Sequence, residues 1–353
     1  MDQLRLRKHS LRRWIFFFLT GVLVTGLIIR KGYAQGGKPP TGEIRALAID
    51  PSTPSTLYAG TFDGKAFGRV FKSTDGGTSW IASGPTIGVV SLAIDPATPS
   101  TLYAGTTGEG VFKSTNGGSS WTAVNSGLTG TKQVYGLAID PATPSTLYAG
   151  TLGGAFKSIN GGSSWTATNS GLTNKYIRVL AIERSTPATL YAGTSDGVFR
   201  TTDGGSSWTA VNSDRTDLTI RALAFDPLTP ATLYAGTVEG GVFKSTNRGS
   251  SWAALSSGLT GPQAYALAID PSTPTTFYVG TFGGVFKSIN GGSSWAALSS
   301  DLVKGVVWSL AMDPATPATL YAGAPNGLFK TTDGGVTWQP TGLKNSGFKT
   351  PED

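Results

Sequence analysis

From residue 44 to residue 340 the apolar positions fall in short runs broken by glycine, proline, asparagine and aspartate, without helical spacing over any long stretch. Residues 90–128 display the unit. Residues 91–95 form an apolar run that ends at Pro96, and residues 96–100 read as a turn, because proline lacks the ladder donor and fixes its own φ. Residues 101–106 are a second strand, 108–110 a second turn, and 111–114 a third strand in which Phe112 alternates with Lys113. Asn116, Gly117 and Gly118 suit a tight hairpin turn, since they accept positive φ, and residues 120–124 make the fourth strand. The unit recurs seven times. Each copy carries an octet closed by tryptophan, from residues 73–80 to residues 331–338, and successive tryptophans stand 41 to 44 residues apart. Four short strands at this period form a propeller blade that buries its apolar faces on its neighbours. The pattern predicts an all-β chain: a single seven-bladed β-propeller, four antiparallel strands per blade, over residues 44–340. The ring should close by side-chain packing, because residues 35–42 contain two prolines and make a poor borrowed strand.

The octets read Ser/Thr-x-Asp/Asn-Gly-Gly-x-Ser/Thr-Trp in six copies, with Arg248 replacing the first glycine in the fifth, where it should perturb the turn. This motif resembles the Asp-box, or BNR repeat, of sialidases, sortilin-type receptors, xyloglucanases and photosystem II assembly factors. The resemblance covers the whole body and implies the propeller fold, but no single activity, since those families share the box and not their chemistry. Asp75, Asn116, Asn160, Asp203, Asn247, Asn290 and Asp333 sit where an Asx side chain bonds its own turn, with calcium binding the lesser alternative. The tryptophans are spaced to pack between blades. A second periodic set, Lys72, Lys113, Lys157, Arg200, Lys244, Lys287 and Lys330, is expected to face the repeat's own carboxylates, beginning with Asp50 and Asp95; a ring gripping a polyanion is the alternative.

Charge changes the picture only at the start of the chain. The formal net charge is +7, but residues 1–34 hold +6 of it, so the body is nearly neutral and gives no electrostatic case for nucleic acid. Residues 14–29 carry no charge and follow a basic start, which reads as an export signal, with Gly32-Tyr33-Ala34 offering a cleavage site. Arg30 and Lys31 favour the alternative, an uncleaved anchor with membrane attachment through residues 14–29. Either way the body is extracytoplasmic, periplasmic or secreted. The domain reading is therefore 1–34 export signal or signal anchor, 35–43 linker, 44–340 propeller and 341–353 C-terminal tail. The chain has no cysteine, and its one histidine, His9, lies in the leader. Ser-His-Asp and Cys-His catalysis and His or Cys metal sites are thereby excluded from the body. No cofactor, metal ligand or catalytic residue is assigned.

The repeats disagree on one rim only. The first and third turns of each blade are monotonous, whereas the second turns and linkers vary, as at residues 62–69, Glu109, Asp196, Glu239 and Asn326. Two residues before the leucine of each first strand the copies read Arg45, Val90, Tyr135, Arg178, Arg221, Tyr265 and Trp308. First strands line a propeller's channel, so the six large residues either plug it or converge on a ligand. Arginine suits carboxylate, sulfate or phosphate, and aromatic rings suit sugar faces. Arg45, Tyr135, Arg178, Arg221, Tyr265 and Trp308 are accordingly the candidate ligand-binding residues. The function read from this pattern is a non-catalytic recognition or assembly module that binds a protein or glycan partner on the variable rim. The alternatives are a glycan-acting hydrolase, sialidase-like or xyloglucanase-like, and a passive surface scaffold. Against the sialidase alternative, the chain reads Glu43-Ile44-Arg45-Ala46-Leu47 where sialidases carry Phe/Tyr-Arg-Ile-Pro.

Overall fold

The second run of each repeat, Leu-Tyr-Ala-Gly-Thr in most copies, is the strand that anchors its blade, buried along its length in blades 2 to 5. The computed structural model describes residues 42–130, 132–211, 218–261, 263–298 and 305–344, all within one compact unit, Pro39–Asp353. Blade 1 contains β1 (Glu43–Ile49), β2 (Leu57–Phe62), β3 (Val70–Ser73) and β4 (Ile81–Ser83), paired antiparallel in chain order. Six further sheets repeat the arrangement, each from four consecutive strands, so the blades coincide with the repeats. The first strand of each blade neighbours the first strand of the next, and that of blade 7 returns to β1. The leader, residues 35–41 and residues 345–353 lie outside the described residues. Among the described residues no helix is long and apolar enough to cross a membrane.

Seven apolar clusters hold the ring, one at each boundary between blades. The glycine of each second strand makes room for the next blade. A Cβ on Gly60 would lie 2.7 Å from Val89, and one on Gly323 would lie 2.8 Å from Ile44, across the closing boundary. Closure adds Ser309 Oγ donating to Ile44 O at 3.3 Å and Gly342 N donating to Gly77 O at 3.1 Å. The last outer strand runs Gln339–Lys344, into the stretch read as tail, because Leu343 is buried with Ile44 and Phe71 of blade 1.

The octet is a closed loop and not a two-residue hairpin. In blade 1, Ser79 donates its N–H to Asp75 Oδ1 at 2.9 Å and its hydroxyl to Oδ2 at 2.6 Å, while Ser73 donates to Oδ1 at 2.8 Å. Those serines are thereby engaged in the loop. The fourth strand of blade 2 is consequently Thr122–Ala123, shorter than the alternation of residues 120–124 implies. The tryptophan then reaches backward. Trp165 Nε1 donates to Val124 O of the preceding blade at 2.7 Å, and the ring is only 4% exposed.

Five of the periodic cations, Lys72, Lys113, Lys157, Lys287 and Lys330, donate to a backbone carbonyl of the next octet and not to a carboxylate. Strand pairing sets Lys72 opposite Tyr58, and both donate to one carbonyl in the next octet, Gly117 O, at 2.8 and 3.1 Å. Lys113 and Tyr103 hold Gly161 O in the same way, and Lys330 with Tyr321 holds Gly76 O across the closure. The aspartates are already engaged: Asp50 Oδ1 accepts the N–H groups of Ser52 and Thr53 in its own turn. The fifth octet is likewise unperturbed. Arg248 adopts φ 57°, Ser251 N still donates to Asn247 Oδ1 at 2.9 Å, and Tyr191 OH donates to Arg248 O at 3.0 Å. Its guanidinium reaches Glu183 at 3.6 Å, where Glu183 stands in place of the aspartate of the other repeats. The two departures from the repeat compensate one another.

Candidate binding site at the channel mouth

The variable position of the first strand has a structural cause. In blades 1 to 6 the ladder to the second strand skips one residue, and the residues skipped are Arg45, Val90, Tyr135, Arg178, Arg221 and Tyr265. Trp308 of blade 7 immediately precedes its strand, Ser309–Met312, and donates its backbone N–H to Gly323 O at 2.9 Å. An extra residue in one strand leaves the ladder and re-aims its side chain. All six predicted residues are half-buried and line one cavity of about 450 Å³, together with Val90. Among the described residues, that volume remains free between them.

The six differ in what they already hold. Arg45 is engaged: its Nε donates to Glu43 Oε2 at 2.6 Å, and its guanidinium carbon lies 3.5 Å from the Trp308 ring centre. Burial lowers its pKa, partly opposed by Glu43. Arg178 stacks at 3.9 Å on Tyr176, and Arg221 lies 5.9 Å from the Tyr265 ring centre. The Nε of each is buried without a hydrogen-bond partner among the described residues, as is Trp308 Nε1. Burial lowers the Arg221 pKa, and the nearby positive charge of Arg178 lowers it further. Burial and a hydrogen bond with Tyr176 push the Tyr135 phenol up to about 12. Tyr265 meets Trp308 edge-on, with ring centres 4.8 Å apart.

Several lining residues were invisible at that one column of the repeat. Phe62 ends β2, and Lys65 comes from the long second turn of blade 1, whose tip is held by Asp63 Oδ1 accepting the N–H groups of Lys65, Ala66 and Phe67. Gln133 precedes the blade 3 strand, and Tyr135 donates to its Oε1 at 3.2 Å. The length of the blade 1 turn was the available signal for Lys65; Tyr176 and Gln133 stand two residues before Arg178 and Tyr135, a column as variable as the one read. Glu109 and Glu239, on the same rim, do not line the cavity. Glu239 Oε2 instead accepts the Thr219 N–H at 2.9 Å.

No protein-family model and no curated protein matches this chain. Solved structures do. The GH74 enzyme of Niastella koreensis superposes with a TM-score of 0.69 at 22% identity, covering 84% of this chain and 53% of the enzyme. This chain therefore spans about half the length of that enzyme. The extracellular domain of the one-component system protein BT4673 from B. thetaiotaomicron gives a TM-score of 0.65 at 17% identity, covering 82% of this chain and 38% of that one. YCF48 from Cyanidioschyzon merolae gives 0.61 at 15% identity, covering 84% of this chain and 97% of that one. At these identities the likeness establishes the propeller fold.

Proposed function

We propose that the protein is an extracytoplasmic recognition module, of the Asp-box type its octets resemble, that holds an anionic ligand at the channel mouth without turning it over. One observation carries the reading. Arg45, Lys65, Arg178 and Arg221 line the cavity, and among the described residues no aspartate or glutamate lines it. Glu43 is not among those lining residues and pairs with Arg45. Two guanidinium groups that repel one another in a half-buried mouth are both relieved by a carboxylate, sulfate or phosphate between them. The aromatic faces of Tyr265 and Trp308 beside them favour a ligand with a flat or apolar portion.

The glycan hydrolase is the second reading, favoured by the likeness to the GH74 enzyme, which as a likeness of fold fits either function. General acid–base work needs carboxylates at the substrate, and the cavity lining supports the binding reading in that none of the described residues lining it is one. The experiment is a glycan and small-anion binding array on the protein and on an Arg178→Gln/Arg221→Gln variant, run beside a glycosidase screen. Binding that is lost in the variant, without hydrolysis, is the expected result. Hydrolysis that disappears in Glu109→Gln or Glu239→Gln would replace this reading with the enzyme. An extracytoplasmic body agrees with the basic, apolar leader, and amino-terminal sequencing of the exported protein tests cleavage after Ala34.

A further inference from the structure

The cavity changes character along the channel. The guanidinium and aromatic groups stand at the bulged positions, nearest the variable rim. Two residues further along each first strand stands a leucine, and Leu47 and its counterparts in the other six blades all line the same cavity. At about 3.3 Å per residue this apolar belt lies ~6–7 Å deeper than the cations. The residues between are mostly small, Ala46, Gly136, Ala222 and Ala266 among them, so they leave the belt open to the mouth. A bare inorganic anion would satisfy Arg178 and Arg221 and leave the leucine belt, half-buried in six blades and buried at Leu180, without an apolar partner from the ligand. A neutral sugar would do the reverse of what both zones favour, offering hydroxyls to the leucines and no charge to the arginines.

We infer that the ligand is an amphiphilic anion, with a carboxylate head between Arg178 and Arg221 and an apolar body that passes Tyr265 and Trp308 onto the leucine belt. This rests on the binding reading above and narrows it. The head meets the two buried Nε–H donors that no group among the described residues takes, and the tail covers apolar surface that otherwise stays wet.

The test is calorimetric titration of the full-length protein with decanoate, acetate and decan-1-ol, each below its aggregation concentration. Decanoate should bind at least about tenfold more tightly than either acetate or decan-1-ol, since it alone uses both zones. Arg178→Gln/Arg221→Gln should weaken decanoate by about tenfold or more and leave decan-1-ol unchanged. Val90→Trp, which fills the mouth at the one small bulge position, should weaken both. Should the double glutamine variant fail to fold, Arg178→Lys, which keeps the charge and loses the planar fork, should still weaken decanoate. Acetate binding as tightly as decanoate and lost in the arginine variant would overturn the amphiphile and leave the anion site standing. Decanoate binding unchanged in both the arginine and Val90→Trp variants would overturn the two together.

Discussion

Single side chains in this ring act mainly by closing their own turn, and the octet carboxylates are the clearest case. Hydrogen bonds from Ser79 and Ser73 hold the Asp75 carboxyl down to about 2, and those from Ser207 and Thr201 do the same for Asp203. Asp333 is held lower still by Thr337 and Thr331. A carboxyl whose folded pKa is depressed adds stability above its unfolded value of about 3.9, and that stability is lost as pH falls through about 2. The variant Asp75→Asn/Asp203→Asn/Asp333→Asn, using the residue four octets already carry, should therefore melt with less acid dependence between pH 4 and 2. Thermal melts across that range decide it, and an unchanged acid slope would contradict the assignment. A second residue-scale prediction concerns the paired departures. Arg248→Gly relieves a positive φ but takes the guanidinium from Glu183, which is only 2% exposed and otherwise accepts the Ser185 hydroxyl at 3.2 Å. It should cost about 1–2 kcal/mol net, and adding Glu183→Asp should restore the loss. A double-mutant cycle in denaturant measures the coupling. Both departures were legible in the sequence as oddities; that they touch was not, because the repeat gives each blade's position and not which side chains meet across a boundary.

Among elements, the second strand and the octet of the next blade form the joint on which the ring depends. Trp165→Ala removes a buried ring between blades 2 and 3 and should cost roughly 3–5 kcal/mol. Lys157→Met removes a charged donor to Gly204 O, 3.0 Å away, and should cost about 1.5–3 kcal/mol, more than a surface cation would. Equilibrium denaturation compares the two, and a lysine variant as stable as the parent would remove the joint from this account. The strands and their order were readable because each run is bounded by proline or glycine and buried as a unit. Two features escaped that reading. The outer strands of blades 2 to 6 are shorter than their alternation suggests, because octet serines bond the Asx side chain. The bulges show in the sequence only as a variable column, arginine in one blade and tyrosine in another, which marks the position without revealing the extra residue in the ladder.

At the scale of the whole molecule, seven near-identical blades must meet with no gap, and the seventh meets the first through Gly323 against Ile44. Gly323→Val should open that boundary and broaden the unfolding transition, read as a lower slope in denaturant. Ring closure also brings chemistry from blades 1, 4 and 5 to one mouth. The candidate column was legible because one strand position varies while its neighbours repeat. Lys65 and Tyr176 were not, since they enter from a single long turn and a linker. Whether the mouth takes an anion is decided most directly by the two guanidinium groups themselves. The measurement is the ¹⁵N–¹H signal of Arg178 and Arg221 Nε, assigned by its loss in Arg178→Lys and Arg221→Lys, during titration with acetate and with sulfate. Both signals should shift and saturate together, while that of Arg45, already bonded to Glu43, moves far less. Signals of Arg178 and Arg221 that stay in place at saturating anion would contradict anion binding at the mouth.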